Sequence, residues 1–214
     1  MSETAMRRIA PPLWLLALTV SGVNIGMALL APAIPLLRDD LSASADEAQL
    51  VLSAFLIMLG LGQLVAGSMS DTLGRRPVLL TGSLLFTVAG AAALISPNIE
   101  LLIVARALQG FGASACMAVG RVIINDSFDK TEAGRQLSTI TMIMAIVPML
   151  GFAGGGLVAD IIGWRGTVGI MVITAGVIFL ANMALLAETN HNRVARAPIL
   201  KVVGVFYLLL RKRE

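Results

Sequence analysis

Six apolar blocks, each close to the thickness of a membrane, constrain this chain more than any other feature. They run over about 13–37, 47–69, 77–96, 100–124, 137–159 and 166–187. A hydrocarbon core about 30 Å thick needs roughly 20 apolar residues at 1.5 Å rise each. Inside lipid every backbone N–H and C=O must be satisfied within the segment, so such blocks fold as helices. The chain is 57% hydrophobic, against about 45–50% for a soluble domain, and the excess sits in these blocks. The expected fold is therefore all-α and integral to a membrane, with six transmembrane helices packed against lipid and one another rather than around a core shielded from water.

The formal charge of +3 does not mark a nucleic-acid partner, because the basic residues punctuate the apolar blocks. With six spans, Arg7, Arg8, Arg75, Arg76, Arg121, Lys130, Arg135, Arg193, Arg196, Lys201, Arg211, Lys212 and Arg213 fall on one side of the membrane. Arg38 and Arg165 fall on the other, and Arg106 lies within a span. Cytoplasmic loops hold the excess of Lys and Arg, so both termini are expected in the cytoplasm. Arg7 and Arg8 before an apolar run imitate a secretory signal, but the run is longer than an h-region of about 7–15 residues and reads as the first membrane helix. The expected organisation is a cytoplasmic N-terminus (1–12), a six-helix bundle (13–190) and a basic cytoplasmic tail (191–214). Within that tail, Val202 to Leu210 is too short to span a bilayer. It reads either as an interfacial helix or as a linker leading to another membrane helix.

Two stretches echo each other. Gly62, Gly67, Asp71, Gly74 and Arg76 recur in identical spacing as Gly151, Gly156, Asp160, Gly163 and Arg165. Each set covers the end of one span, a tight loop and the start of the next, but the two loops fall on opposite sides of the membrane. A unit repeated in opposite orientation is the sign of inverted-topology repeats. The six helices are accordingly expected as two three-helix repeats, with a substrate site near mid-membrane.

The first of these loops reads Gly67-x-x-x-Asp71-x-x-Gly74-Arg75-Arg76-Pro77. Glycines permit a tight connection and close helix approach, and proline suits a helix's first turn. This pattern between the second and third spans resembles the signature loop of the major facilitator superfamily. The resemblance covers roughly residues 13–190. It implies half of a fold that normally has about twelve helices, with transport by rocking of two six-helix halves about a central site. In relatives, an acid at the end of the fourth span pairs with the loop arginines. Asp71, Arg75 and Asp126 are therefore expected to form a charge cluster that locks one conformation, the alternative being solvated loop charges. Gly67, Gly74 and Arg76 complete the gating set.

The fourth span holds Arg106-x-x-Gln109, on one helix face. A buried arginine costs about 2.5–3.5 kcal/mol on insertion scales and normally faces a polar interior; near the outer end it can instead snorkel to the interface. The family resemblance associates this arginine with proton coupling in antiporters. Pro32 and Pro35, similar to the family's Pro-x-x-Pro, either open backbone groups near the cavity or simply bend the first helix. In the fifth span, Gly151, Gly154, Gly155 and Gly156 resemble the antiporter packing motif, with Phe152 in place of its central proline. No acid lies in the middle of any span, so a coupling carboxylate would be Asp126, lie in a missing half, or not exist.

Other chemistries find no residues to carry them. Cys116 stands alone in an apolar run, and the sole histidine, His191, lies beyond the last span; no metal, cofactor or catalytic set is expected, and the chain reads as no enzyme. The resemblance is strongest to the bacterial drug–proton antiporters. It implies a multi-pass protein of the bacterial inner membrane that exports small amphiphilic compounds against protons; the polar residues within the spans, Asn24, Gln63, Arg106 and Gln109, are the candidates to line the pathway. Its partners would be lipid, the small-molecule substrate, and a missing C-terminal half or a second copy. The alternative is a truncated or non-transporting six-helix protein that needs a partner half.

Overall fold

A computed structural model describes residues 11–190. Arg7, Arg8, His191 and the basic tail from 191 onward lie outside the described residues. Helix α1 spans Leu13–Leu30, a 3-10 turn spans Ala31–Ala33, and α2 (Ile34–Asp40) completes the first rod. Pro32 and Pro35 each sit at the start of one of the last two elements, where a missing N–H is least costly. The prolines thus interrupt the rod and re-start it. The remaining helices are α3 (Ala45–Leu73), α4 (Arg75–Leu94), α5 (Ile99–Ser127) and α6 (Lys130–Leu185).

Polar caps set where these helices begin. Ser44 and Glu47 form a reciprocal box at α3, with the Ser44 N–H donating to Glu47 at 2.8 Å and the Glu47 N–H to Ser44 Oγ at 3.2 Å. The Asn98 side chain accepts from the Leu101 N–H at 3.0 Å, and Asp129 accepts from the N–H groups of Thr131 and Glu132. Such caps satisfy donors that a helix cannot satisfy itself. Helix α4 has no capping side chain at its N-cap, Gly74.

Five helical rods are long and apolar enough to cross a membrane, the first being α1 with α2. The sequence led us to expect six. The fifth and sixth expected spans run together in α6, whose 56 residues are broken by non-helical backbone at Gly163 (φ 74°, ψ 178°).

The first rod and α5 occupy the centre, with 61% and 67% of their apolar stretches buried, against 28% for α3 and α6. Helices α3 and α4 pack on α5, α6 packs on α1, and α4 also meets α6. Close approach follows from small residues: a Cβ on Gly110 would strike the Phe55 carbonyl, and one on Gly112 would sit 2.5 Å from the Phe86 nitrogen. On the outside, Ile57, Met149, Leu150, Ile161 and Ile173 are each more than half exposed. Apolar faces of this extent need lipid or another helical body against them.

Candidate functional site

The polar groups gather in three places: the end where α3 meets α4, the middle of α5, and the opposite end beside Gly163. At the first, one residue, Gly74, turns the chain from α3 into α4 with φ 108°, a left-handed value that strains any residue with a Cβ. The turn folds Arg75 back beneath the bundle with its side chain 9% exposed. Its Nε donates to Asp126 Oδ2 at 2.9 Å, and its Nη1 donates to Ser70 Oγ at 2.8 Å and to Asp71. The structure thus brings Asp71, Arg75 and Asp126 into one cluster. Arg76 points elsewhere, donating from Nη2 to the Met183 carbonyl at 3.0 Å near the end of α6. Gly67 faces open space.

Two residues that the sequence analysis did not single out complete this end. The Glu188 carboxylate accepts from the Arg75 N–H at 2.9 Å and the Arg76 N–H at 3.3 Å, while the Asn190 side chain donates to the carbonyls of Ser70 and Asp71. The available signal was indirect: α4 begins after a glycine, which offers no cap, and an acid follows the last helix.

In mid-bundle, Arg106 and Gln109 are both fully buried. Arg106 Nη1 donates to Gln109 Oε1 at 2.7 Å and lies 3.3 Å from the Met171 sulfur, and the guanidinium carbon stands 4.3 Å from the centre of the Phe55 ring. The ring face supplies an electrostatic partner for the cation. Nε and Nη2 of Arg106 and Nε2 of Gln109 have no hydrogen-bond partner. Phe55 and Met171 lie against the Arg106 guanidinium, which is buried within the bundle. Asn24 and Gln63 are half-buried on α1 and α3, and neither is a hydrogen-bond partner of Arg106. Two cavities lie among the described residues away from this pair, one of about 230 Å³ among α3, α4 and α5, lined by apolar side chains including Val65, Met69 and Leu85, and one of about 370 Å³ beside Asp40 and Trp164. The buried charged side chains among the described residues, Arg75 and Arg106, are both cationic.

At the opposite end the Trp164 indole N–H donates to Asp40 Oδ2 at 3.0 Å. Arg165 donates to the same oxygen and to the Ser96 carbonyl at 3.3 Å. Of the packing-motif glycines, Gly151 and Gly155 lie against α1 at Ala28 and Leu29, whereas Gly154 and Gly156 face open space. Half the motif therefore packs α6 on α1 within the bundle.

The family profile described as Major Facilitator Superfamily matches residues 16–213. The chain is 37% identical over 191 residues to an uncharacterised MFS-type transporter, YdgK, of Bacillus subtilis (strain 168), covering 88% of this chain and 47% of that protein. It is 34% identical over 177 residues to a chloramphenicol resistance protein of Pseudomonas aeruginosa, covering 80% of this chain and 41% of that one. The chain thus spans a little under half the length of these relatives. Among solved structures, a peptide transporter, POT, superposes with a TM-score of 0.74 at 14% identity, over 93% of this chain and 44% of that chain. That likeness shows the fold alone.

Proposed function

The chain belongs to the major facilitator superfamily and is a multi-pass membrane protein, and from that premise we propose that it forms the N-terminal half of a secondary active transporter. The proposed activity is export of small amphiphilic drug-like compounds by proton antiport and alternating access, in a bacterial inner membrane with both termini cytoplasmic. Similarity to a chloramphenicol resistance protein supports the direction and the substrate class.

The observation that carries a transport mechanism is the pairing of two opposite ends. Gly74 and Gly163 are the glycines with positive φ among the described residues, and they stand as far apart as the other members of the repeated motif. One lies in the α3–α4 turn, the other at the break of α6. A 56-residue helix would be about 84 Å long, nearly three hydrocarbon thicknesses, so α6 is two spans joined at Gly163. The bundle is then six helices in two triplets. The second and third helices of the first triplet, α3 and α4, pack on the first helix of the second, α5. The α6 run, second and third of its triplet, packs on α1. This reciprocal arrangement supports inverted repeats.

Between the two ends sits Arg106, whose unpartnered nitrogens make it a donor awaiting an acceptor. In the cycle proposed, Phe55 and Met171 withdraw as the half rocks, Arg106 and Gln109 meet substrate or a proton-bearing carboxylate, and Asn24 and Gln63 extend the polar path. The Asp71–Arg75–Asp126 cluster holds one conformation. The coverage of under half of each relative favours a second six-helix unit, whether a C-terminal half or another copy, as the opposite wall of the pathway. Energised cells loaded with a fluorescent amphiphilic dye test this, comparing the chain alone with the chain alongside a second half. Efflux that requires two halves and fails in Arg106→Ala is expected; efflux indifferent to Arg106 would overturn the proposed pathway.

A further inference from the structure

We infer that Glu188 and Asn190 form a clasp that positions Arg75, making the segment just after α6 a working part of the loop between α3 and α4. Helix α4 starts with Arg75 and Arg76, whose N–H groups have no partner within the helix, and Gly74 before them has no side chain to cap them. Glu188, more than a hundred residues away, supplies both acceptors: Oε1 at 2.9 Å from the Arg75 nitrogen and Oε2 at 3.3 Å from the Arg76 nitrogen. A carboxylate here also meets the positive end of the α4 dipole.

The same carboxylate folds its own chain. Oε1 accepts from the N–H groups of Thr189 at 3.0 Å and Asn190 at 2.9 Å. That turn aims the Asn190 amide at α3, where Nδ2 reaches the carbonyls of Ser70 at 3.3 Å and Asp71 at 3.1 Å. Arg76 closes the circuit onto the Met183 carbonyl of α6. Three helix ends, each with unmatched backbone groups, are thereby tied together: the last turn of α3, the first of α4 and the last of α6. Arg75 stands at the centre. Its backbone is fixed by Glu188 and its side chain reaches across to Asp126, so the geometry of that ion pair depends on the clasp. Glu188 is a positioning residue. It acts on Arg75 through the main chain and leaves the guanidinium to Asp71 and Asp126.

The consequence for transport rests on the reading of this loop as a gate; the clasp itself does not. A displacement of the chain at Asn190 would be felt at Arg75, which gives α6 a mechanical route to the gate.

Hydrogen–deuterium exchange on the whole protein in lipid nanodiscs tests the clasp without any transport assay. First-turn amides usually exchange readily, so slow exchange at Arg75 and Arg76 is the signature of Glu188. Glu188→Ala is expected to speed exchange at those two amides roughly tenfold or more, with the α4 interior around Leu79 to Gly90 unchanged. Glu188→Gln, which keeps the shape but has one acceptor oxygen, is expected to restore part of the protection and serves if the alanine variant folds poorly. Unaltered exchange at Arg75 and Arg76 in both variants would overturn the proposal, as would an equal rise along the whole of α4. A clasp found intact while this chain and a second half together move no substrate would sink the transport reading and leave this one standing.

Discussion

Replacing Arg75 with alanine removes one cation from three acceptors, and its cost can be worked from their exposure. Breaking a buried ion pair costs about 3–5 kcal/mol, whereas an exposed pair contributes about 0.2–1 kcal/mol. The Arg75 side chain is 9% exposed, but Asp126 is 30% and Asp71 53% exposed, so both carboxylates keep water after the arginine is gone. An intermediate loss of about 2–3 kcal/mol follows, which for a chain of this size lowers the melting temperature by roughly 5–10 °C. Asp126→Ala should cost about half as much, since Arg75 retains Asp71 and Ser70. In the double variant the losses should fall short of their sum by about 1 kcal/mol. Thermal unfolding in mild detergent, followed by tryptophan fluorescence, measures all three. The charge swap, Arg75→Asp with Asp126→Arg, should recover part of the loss. Strict additivity, with no recovery in the swap, would refute the pairing as the origin of the stability.

Gly163→Ala forces a Cβ into a backbone with φ 74° and should cost about 1–2 kcal/mol, read as a melting shift; Gly74→Ala, at φ 108°, should cost a similar amount. The Arg165–Asp40 pair is 44% and 48% exposed, so Arg165→Ala should cost under about 1 kcal/mol, less than Trp164→Ala, which also empties a buried ring site; equal losses would contradict this ranking. Gly155 lies against the Leu29 backbone and Gly156 faces open space; Gly155→Val should therefore lower the yield of folded chain and Gly156→Val should not, as fluorescence-detected size-exclusion would show.

Much of the architecture was legible because the bilayer makes length and hydrophobicity nearly sufficient to define a span. The signature loop was legible for a related reason: a one-residue connection needs glycine, and charges at a rim need partners nearby. Asp126 could be matched to Arg75 through the family resemblance, in which an acid at the end of the fourth span pairs with the loop arginines. What could not be read were contacts set by tertiary packing alone. Phe55 is an ordinary apolar residue until α3 crosses α5 and lays its ring on Arg106. Glu188 is one more acid just past the last expected span until the uncapped start of α4 comes within reach. The bond from Trp164 to Asp40 forms beside the turn at Gly163, and no sequence pattern announced it. Arg106 was expected at a cavity wall because charge in a membrane needs a polar surrounding. In this structure its surroundings are a glutamine, a thioether and an aromatic face, with two guanidinium nitrogens unmatched.

We propose that Arg106 serves a proton-coupled drug pathway between this chain and a second six-helix unit. The most direct test is the pH gradient itself, in everted membrane vesicles containing both halves and a pH-sensitive dye. Adding chloramphenicol or an amphiphilic dye after energisation should release protons from the vesicles in a saturable manner, and Arg106→Ala should abolish that release while leaving the amount of folded protein unchanged. Proton release that persists without Arg106, or substrate movement with no proton release at all, would contradict the claim.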